Sequence, residues 1–147
     1  MTRQSKRDPI RVAIIDDHPL MRKGIVQALS GEPDLDIVGE GESADDAVAL
    51  AERLLPDVML IDINMQGSGL NALKRIAASC PAVACIVITV REDEETVSQA
   101  LRVGARGYVL KGIGGSELAV TIRAIHQGEV YITPSLAIRL MAICCFV

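Results

Sequence analysis

Short hydrophobic runs recur along the chain at nearly regular spacing, and a segment with helical periodicity follows each of them. The runs are rich in Val, Ile and Leu and end at Pro, Gly or Asp, as is typical of buried strands. They predict strands at residues 10–15, 35–39, 58–65, 83–88 and 107–110. The intervening segments predict helices at residues 20–29, 43–55, 70–78, 92–103 and 116–127. Five such strand-helix units predict an α/β fold, a doubly wound sheet of five parallel strands.

The third run, residues 58–65 with the sequence VMLIDINM, delivers one carboxylate, Asp62, to the end of a buried strand. In open α/β sheets, ligands bind at the carboxyl ends of the strands. Polar side chains also follow three other predicted strands at this edge: Asp16 and Asp17, Thr89, and Lys111. We therefore expect residues that are distant in sequence to meet at one edge of the sheet.

The predicted cluster has a definite chemistry. Three neighbouring carboxylates repel one another unless a cation joins them, and an all-oxygen cluster suits Mg²⁺. Lys111 supplies a point charge and Thr89 a hydroxyl donor. Such a set can bind a tetrahedral anionic group beside the metal, as phosphoryl transfer requires.

Composition limits the remaining classes of function. The 147 residues are enough for one domain with a sizeable core, and the formal net charge of -4 argues against a nucleic-acid-binding surface on this chain. The four Cys residues form no CxxC pair with a matching second pair, and both His residues lie far from them in sequence, so we do not expect a zinc site. Reduced thiols indicate a cytoplasmic protein.

Targeting and membrane segments are not expected. Residues 1–9 carry charges with no apolar segment behind them, unlike a secretory signal peptide. The most apolar stretch, residues 136–147, is interrupted by Arg139. It is also shorter than the ~20 residues that a membrane-spanning helix needs.

Two other classes of function fit the residues at the strand ends less well. A flavin or nucleotide site on such a sheet would place a small, Gly-rich or Ser/Thr-rich phosphate cradle after the first strand, where this chain has Asp16 and Asp17. A phosphohydrolase of the haloacid dehalogenase type would want a DxD motif at the nucleophile, but Asn64 stands at the second position. Neither class fits the residues as well as phosphoryl acceptance does.

Five elements in order carry a resemblance to a known family. The chain has DD after strand one, D after strand three, T after strand four and YVLK at strand five, and it contains IIDDHPLMRKGI, GARGYVLKG and GEVYITP. In these features it resembles the receiver domains of bacterial two-component response regulators, specifically the NarL/FixJ subgroup with a LuxR-type DNA-binding domain. The resemblance implies a flavodoxin-like receiver fold with strand order 2-1-3-4-5.

The resemblance also implies a role for each residue of the cluster. Asp62 would be the phosphoacceptor for a sensor histidine kinase, and Lys111 would pair with the phosphoryl oxygens. The resemblance implies Mg²⁺ bound by Asp16, Asp17, Asp62 and the backbone carbonyl of Asn64. Thr89 and Tyr108 would be the switch residues, with Tyr108 moving from an exposed to a buried rotamer. Helix four, strand five and helix five would form the output face, used for a homodimer or a partner. No enzymatic activity beyond self-phosphorylation and self-dephosphorylation is implied.

The chain departs from the family pattern DxxMPGxxGL after the phosphoacceptor, where it reads DINMQGSGL. Gln66 replaces the usual proline in a loop that is one residue shorter, which must re-aim the turn beside Asp62. An alternative interpretation is therefore a degenerate receiver that acts as a phosphorylation-independent interaction module.

Val90 stands where a small residue is common in the family, which suggests restricted access to the phosphoryl group. For His18, a loop role is favoured over a ligand role.

The resemblance divides the chain into three parts. We expect an N-terminal tail at residues 1–9, a receiver domain at 10–128, and a linker or the start of an extra helix at 129–147. The last part is too short for a LuxR-type domain. DNA binding is thus expected only through a C-terminal domain that this sequence lacks.

Overall fold

The computed structural model describes residues 8–65, 67–90 and 93–132. Within these ranges, strands and helices alternate along the chain. The strands are β1 (Ile10–Ile15), β2 (Leu35–Gly41), β3 (Val58–Asp62), β4 (Ala84–Thr89) and β5 (Gly107–Leu110). The helices are α1 (Pro19–Ser30), α2 (Ala44–Leu54), α3 (Gly69–Ser79), α4 (Glu94–Arg102) and α5 (Gly115–His126). All strand pairs are parallel, and their order β2-β1-β3-β4-β5 confirms the predicted topology.

Two hydrophobic clusters cover the two faces of the sheet. Successive residues of a strand point to opposite faces, so Met59 and Ile61 of β3 join the cluster that α2, α3 and α4 cover. Val58 and Leu60 join the cluster beneath α1 and α5. Every residue of β3 is buried, as expected for the central strand of a sheet covered on both sides. The covered faces leave the strand ends as the place for polar chemistry.

Local signals explain where the helices begin. Ser43 precedes α2, and its side chain accepts a hydrogen bond from the backbone N–H of Asp46 at 3.1 Å. This is the N-cap that the sequence predicts. Pro19 occupies the first position of α1, where its missing N–H costs nothing.

Three elements have a boundary that differs from the prediction by two residues or more. Strand β3 ends at Asp62, and the apolar residues Ile63 and Met65 are buried in the turn that follows it rather than in the ladder. Strand β2 continues to Gly41 because this residue pairs with Ile15 of β1. Helix α4 begins at Glu94, and residues 91–92 lie outside the described part of the chain.

Some predictions concern residues that the structure does not describe. Most of the expected tail at 1–9 and of the segment at 129–147 falls there, and so do Cys144 and Cys145. Cys80 and Cys85 are described, and both are buried free thiols. None of the described helices combines the length and the apolar character needed to cross a membrane.

Candidate functional site

Three carboxyl groups meet where β1 and β3 leave the sheet. The pairing of Ile15 with Ile61 sets Asp16 and Asp62 side by side at the carboxyl ends of adjacent strands. The side chains of Asp16 and Asp62 are each 1% exposed, whereas that of Asp17 is 31% exposed. The site therefore has two buried carboxyl groups and one at its mouth.

Lys111 brings a positive charge to these acids from β5. Its Nζ lies 3.1 Å from Asp16 Oδ2 and 3.2 Å from Asp62 Oδ2, and its side chain is only 6% exposed. The backbone N–H of Lys111 donates to the carbonyl of Thr89 at 2.6 Å, which ties the end of β5 to the end of β4. Position 111 is thus held by the sheet itself.

His18 lies closer to the acids than its sequence position suggested. Its Nδ1 is 2.9 Å from Asp16 Oδ1, 3.1 Å from Asp17 Oδ1 and 3.5 Å from Asp62 Oδ2. Its backbone N–H also donates to Asp16 Oδ1 at 2.9 Å. The residue does lie in the loop after β1, as expected, but one edge of its ring faces the carboxylates. No spacing signal in the sequence indicates this orientation.

The two buried carboxyl groups differ in their affinity for a proton. Burial raises the pKa of Asp62 above its ordinary value of 3.8, and hydrogen bonds from the Asn64 backbone and Lys111 only partly oppose it. Burial also acts to raise the pKa of Asp16, but hydrogen bonding from His18 and the charge of Lys111 outweigh it, so that this pKa is lowered. Asp16 is therefore the more firmly ionised of the pair.

The donor set fits a divalent cation. One oxygen or nitrogen atom from each of Asp16, Asp17, His18 and Asp62 lies within 4.8 Å of the others. Asp16 Oδ2 and Asp17 Oδ1 are buried and receive no hydrogen bond from the described residues, although Lys111 Nζ lies 3.1 Å from the former outside hydrogen-bond geometry. Buried carboxylate oxygens without donors are destabilising, so a cation coordinated there would stabilise them.

The remaining predicted site residues occupy the same edge or lie beneath it. Thr89 ends β4, one residue after the partner of Asp62, and is 3% exposed. Tyr108 on β5 is buried at 1% exposure and belongs to the cluster beneath α2, α3 and α4. The exposed Asn64 donates its backbone N–H to Asp62 Oδ1 at 3.1 Å.

The shortened turn after Asp62 closes with unusual backbone angles. Gly67 and Ser68 have φ values of 86° and 75°, in the region that favours glycine. Ser68 nevertheless caps α3, because its side chain accepts from the Asn71 N–H at 3.3 Å. A Cβ on Gly69 would lie 2.7 Å from the Asp62 carbonyl oxygen, so this position requires glycine. Gln66 lies outside the described residues.

Sequence reasoning missed an arginine and an apolar rim. Arg22 of α1 donates from Nη1 to the backbone carbonyl of Asp16 and from Nε to Glu40 at 3.2 Å, which anchors the end of β1. Leu20 and Val90 are 85% and 65% exposed. They border, with His18, Met21 and Lys111, a surface space of about 500 Å³. The exposure of Leu20 and Val90 cannot be derived from the periodicity of hydrophobic residues in the sequence.

Comparison with known proteins agrees with the geometry. The family model for the response regulator receiver domain matches residues 12–123. The chain is 36% identical to the transcriptional regulatory protein DegU of Brevibacillus brevis, over 96% of this chain and 60% of that protein. It is 38% identical to the nitrate/nitrite response regulator protein NarL of Escherichia coli K12, over 94% of this chain and 66% of that protein.

A solved structure gives the same result. A LuxR-family two-component response regulator from Aurantimonas sp. SI85-9A1 superposes with a TM-score of 0.83 at 28% identity, covering 88% of this chain and 94% of that one. The chain spans roughly three fifths to two thirds of the length of the curated relatives named above. By sequence and by structure, the chain belongs to the response regulator receiver domain family, in its NarL/LuxR-type group.

Proposed function

We propose that this receiver domain, at residues 10–128, accepts a phosphoryl group on Asp62 in a reaction that requires Mg²⁺. The observation that carries the proposal is the contact between the buried Asp62 carboxylate and Lys111 Nζ at 3.2 Å, beside the buried Asp16. A carboxylate held against a cation and a second acid is suited to nucleophilic attack on phosphorus.

The step itself uses a carboxylate oxygen of Asp62. This oxygen attacks the phosphorus of a phosphohistidine, the phosphorus–nitrogen bond breaks, and its electron pair leaves with the donor imidazole. Asp62 then carries an acyl phosphate. Lys111 pairs with a phosphoryl oxygen, and the Thr89 hydroxyl donates to another after a side-chain rotation. These groups neutralise charge on the transferred phosphoryl group.

Asp16, Asp17, Asp62 and the Asn64 backbone carbonyl are the proposed holders of Mg²⁺. The buried oxygens of Asp16 and Asp17 that receive no hydrogen bond from the described residues support this assignment. When bound, the ion would neutralise the acids and so reduce their repulsion of an incoming anionic phosphoryl group.

Phosphorylation would act on a two-state element. In this proposal Thr89 turns toward the phosphoryl group, which changes the surface formed by α4, β5 and α5. Tyr108 already occupies a buried position at 1% exposure, so its proposed part is to hold that position rather than to move into it from the surface. That face would form a homodimer or bind an output partner. Control of transcription would require a LuxR-type DNA-binding domain.

The partner that supplies the phosphoryl group is proposed to be a sensor histidine kinase in the cytoplasm. Leu20, Met21 and Val90 offer an apolar rim next to Asp62, on which a kinase surface can dock. The degenerate-receiver alternative is less well supported, because the acids and Lys111 all meet at one edge.

The test is a mobility-shift gel that retards phosphorylated protein, run after incubation with Mg²⁺ and a small acyl phosphate. The variants are Asp62→Asn and, as a matched control, Asp36→Asn, which alters an exposed carboxylate of β2. We expect a shifted band in the parent and in Asp36→Asn. The band should be lost in Asp62→Asn and in the parent with EDTA. No shift in a parent that is folded by circular dichroism would instead support the phosphorylation-independent module.

A further inference from the structure

We infer that His18 is a nitrogen ligand of the metal site and shifts its preference from Mg²⁺ toward divalent transition metals such as Co²⁺. This inference rests on the proposed metal site and extends it, because the family resemblance supplies only oxygen ligands. The sequence alone favours a loop role for His18, and the position of its ring in the structure leads to a different conclusion.

The distances around His18 Nδ1 match those between neighbouring ligands of one ion. Ligands at about 2.1 Å from a metal and at right angles to each other lie about 3.0 Å apart. The Nδ1 atom lies 2.9 Å from Asp16 Oδ1 and 3.1 Å from Asp17 Oδ1, with Asp62 Oδ2 at 3.5 Å. One ion can therefore contact all four groups with small adjustments.

Hydrogen bonding alone does not account for this arrangement. The Nδ1 atom makes one hydrogen bond, as donor or as acceptor according to the tautomer, yet three carboxylate oxygens lie within 3.5 Å of it and Lys111 Nζ lies at 3.3 Å. Asp17 Oδ1 is buried and receives no hydrogen bond from the described residues. The buried Asp16 Oδ2 also lacks one, although Lys111 Nζ lies 3.1 Å from it. A cation beside His18 Nδ1 would satisfy Asp17 Oδ1 together with the ring nitrogen and Asp16 Oδ1.

Charge points in the same direction. Three carboxyl groups and the imidazole of His18 share this cluster, and the ammonium of Lys111 pairs with two of the acids, Asp16 and Asp62. A divalent ion would add positive charge beside Asp17 and His18, the two members of the cluster that this ion pair does not include. Carboxylates and water suit Mg²⁺, whereas imidazole favours ions such as Co²⁺, Ni²⁺ and Zn²⁺. Adding the imidazole of His18 to the acids thus raises the affinity of the site for Co²⁺, Ni²⁺ and Zn²⁺ more than its affinity for Mg²⁺.

The chain offers a matched control, because it contains only two histidines and the other, His126, lies exposed at the end of α5. Calorimetric titration with Co²⁺ and with Mg²⁺ compares untagged parent, His18→Ala and His126→Ala. We expect His18→Ala to weaken Co²⁺ binding by roughly tenfold or more and to weaken Mg²⁺ binding much less. His126→Ala should alter neither. Equal weakening of both ions, or no change for Co²⁺, would overturn the inference.

A spectroscopic measurement guards against indirect effects of the substitution. In protein with ¹⁵N-labelled histidine, one equivalent of Zn²⁺ should shift the Nδ1 resonance of His18 but not the resonances of His126. An unmoved His18 resonance would contradict ligation. If Mg²⁺ binds the parent but His18→Ala changes the binding of Co²⁺ and Mg²⁺ to the same extent, only this inference fails. If neither ion binds, the proposed metal site fails with it.

Discussion

Lys111 Nζ and Asp62 Oδ2 are separated by 49 positions in sequence and by 3.2 Å in the fold. Adjacent parallel strands explain the meeting: β4 lies between β3 and β5, and each strand ends at the same edge. Both side chains are almost fully buried. The contact is therefore a structural ion pair as well as part of the proposed phosphoryl site.

Replacing Lys111 by Met should weaken the fold in metal-free buffer. The change leaves the Asp16 and Asp62 carboxyl groups buried without their cation, which costs on the order of 3 kcal/mol in unfolding free energy. Urea unfolding in EDTA measures this loss, with Lys74→Met on the exposed face of α3 as the control. Equal stability of the two variants would show that the Lys111 contact does not stabilise the domain.

Asp62→Asn should stabilise the metal-free protein, and the gain should depend on pH. Because the native pKa of Asp62 is raised, the folded protein holds that proton more tightly than the unfolded chain. The unfolding free energy of the parent therefore falls as pH rises from 3.8 through the native pKa. Asn does not titrate. The unfolding free energy of Asp62→Asn should therefore exceed that of the parent by a margin that grows between pH 3.8 and the native pKa of Asp62 and is constant above it.

The measurement is urea unfolding of both proteins in EDTA at a series of pH values. The lowered pKa of Asp16 acts in the opposite direction, since its contribution is lost as pH falls, but that residue is present in both proteins. An advantage of Asp62→Asn that is constant with pH, or that shrinks as pH rises, would refute the raised pKa.

Ser68→Gly should stabilise the turn after Asp62. The φ of 75° at Ser68 costs a residue with a side chain about 1 kcal/mol or more. Losing the hydroxyl cap to glycine costs only a few tenths of a kcal/mol. We predict a net gain near 1 kcal/mol by urea unfolding, and a loss for Ser68→Ala, which keeps the strain and removes the cap. Equal loss in both variants would mean that the cap dominates.

Val90→Ala should shorten the lifetime of the phosphorylated form several-fold. Val90 borders the surface space next to Lys111, and trimming it opens a path for water toward Asp62. Decay of the shifted gel band after removal of the donor measures the lifetime. Val120→Ala, an exposed valine of α5, is the control and should decay like the parent. An unchanged lifetime in Val90→Ala would show that Val90 does not limit the access of water to phosphorylated Asp62.

Much of the fold follows from the hydrophobic pattern alone. Strands β1 and β5 have the predicted bounds, because branched apolar residues end abruptly at Asp16 and Lys111. The predicted end of β3 was wrong, because the apolar residues Ile63 and Met65 are buried in the turn that follows the strand. A buried turn and a buried strand share the same hydrophobicity.

The site was less accessible to sequence reasoning. Shared strand ends predict that Asp16, Asp62 and Lys111 converge, and their distances agree with this. The approach of His18 depends on the backbone path after β1, where its φ is -102° and its ψ is 102°. The positive φ of Ser68 depends likewise on how a short loop must close. The types of residue in these two loops do not predict the backbone conformation of either His18 or Ser68.

The most direct test of the central claim is to locate the phosphoryl group chemically. Borohydride reduces an aspartyl phosphate to homoserine, and mass spectrometry of tryptic peptides then identifies the residue. Trypsin separates residues 12–22, with Asp16 and Asp17, from residues 54–74, with Asp62. Our account predicts homoserine at position 62 in parent protein treated with Mg²⁺ and an acyl phosphate. Homoserine at position 16 or 17, or none in the folded protein, would contradict it.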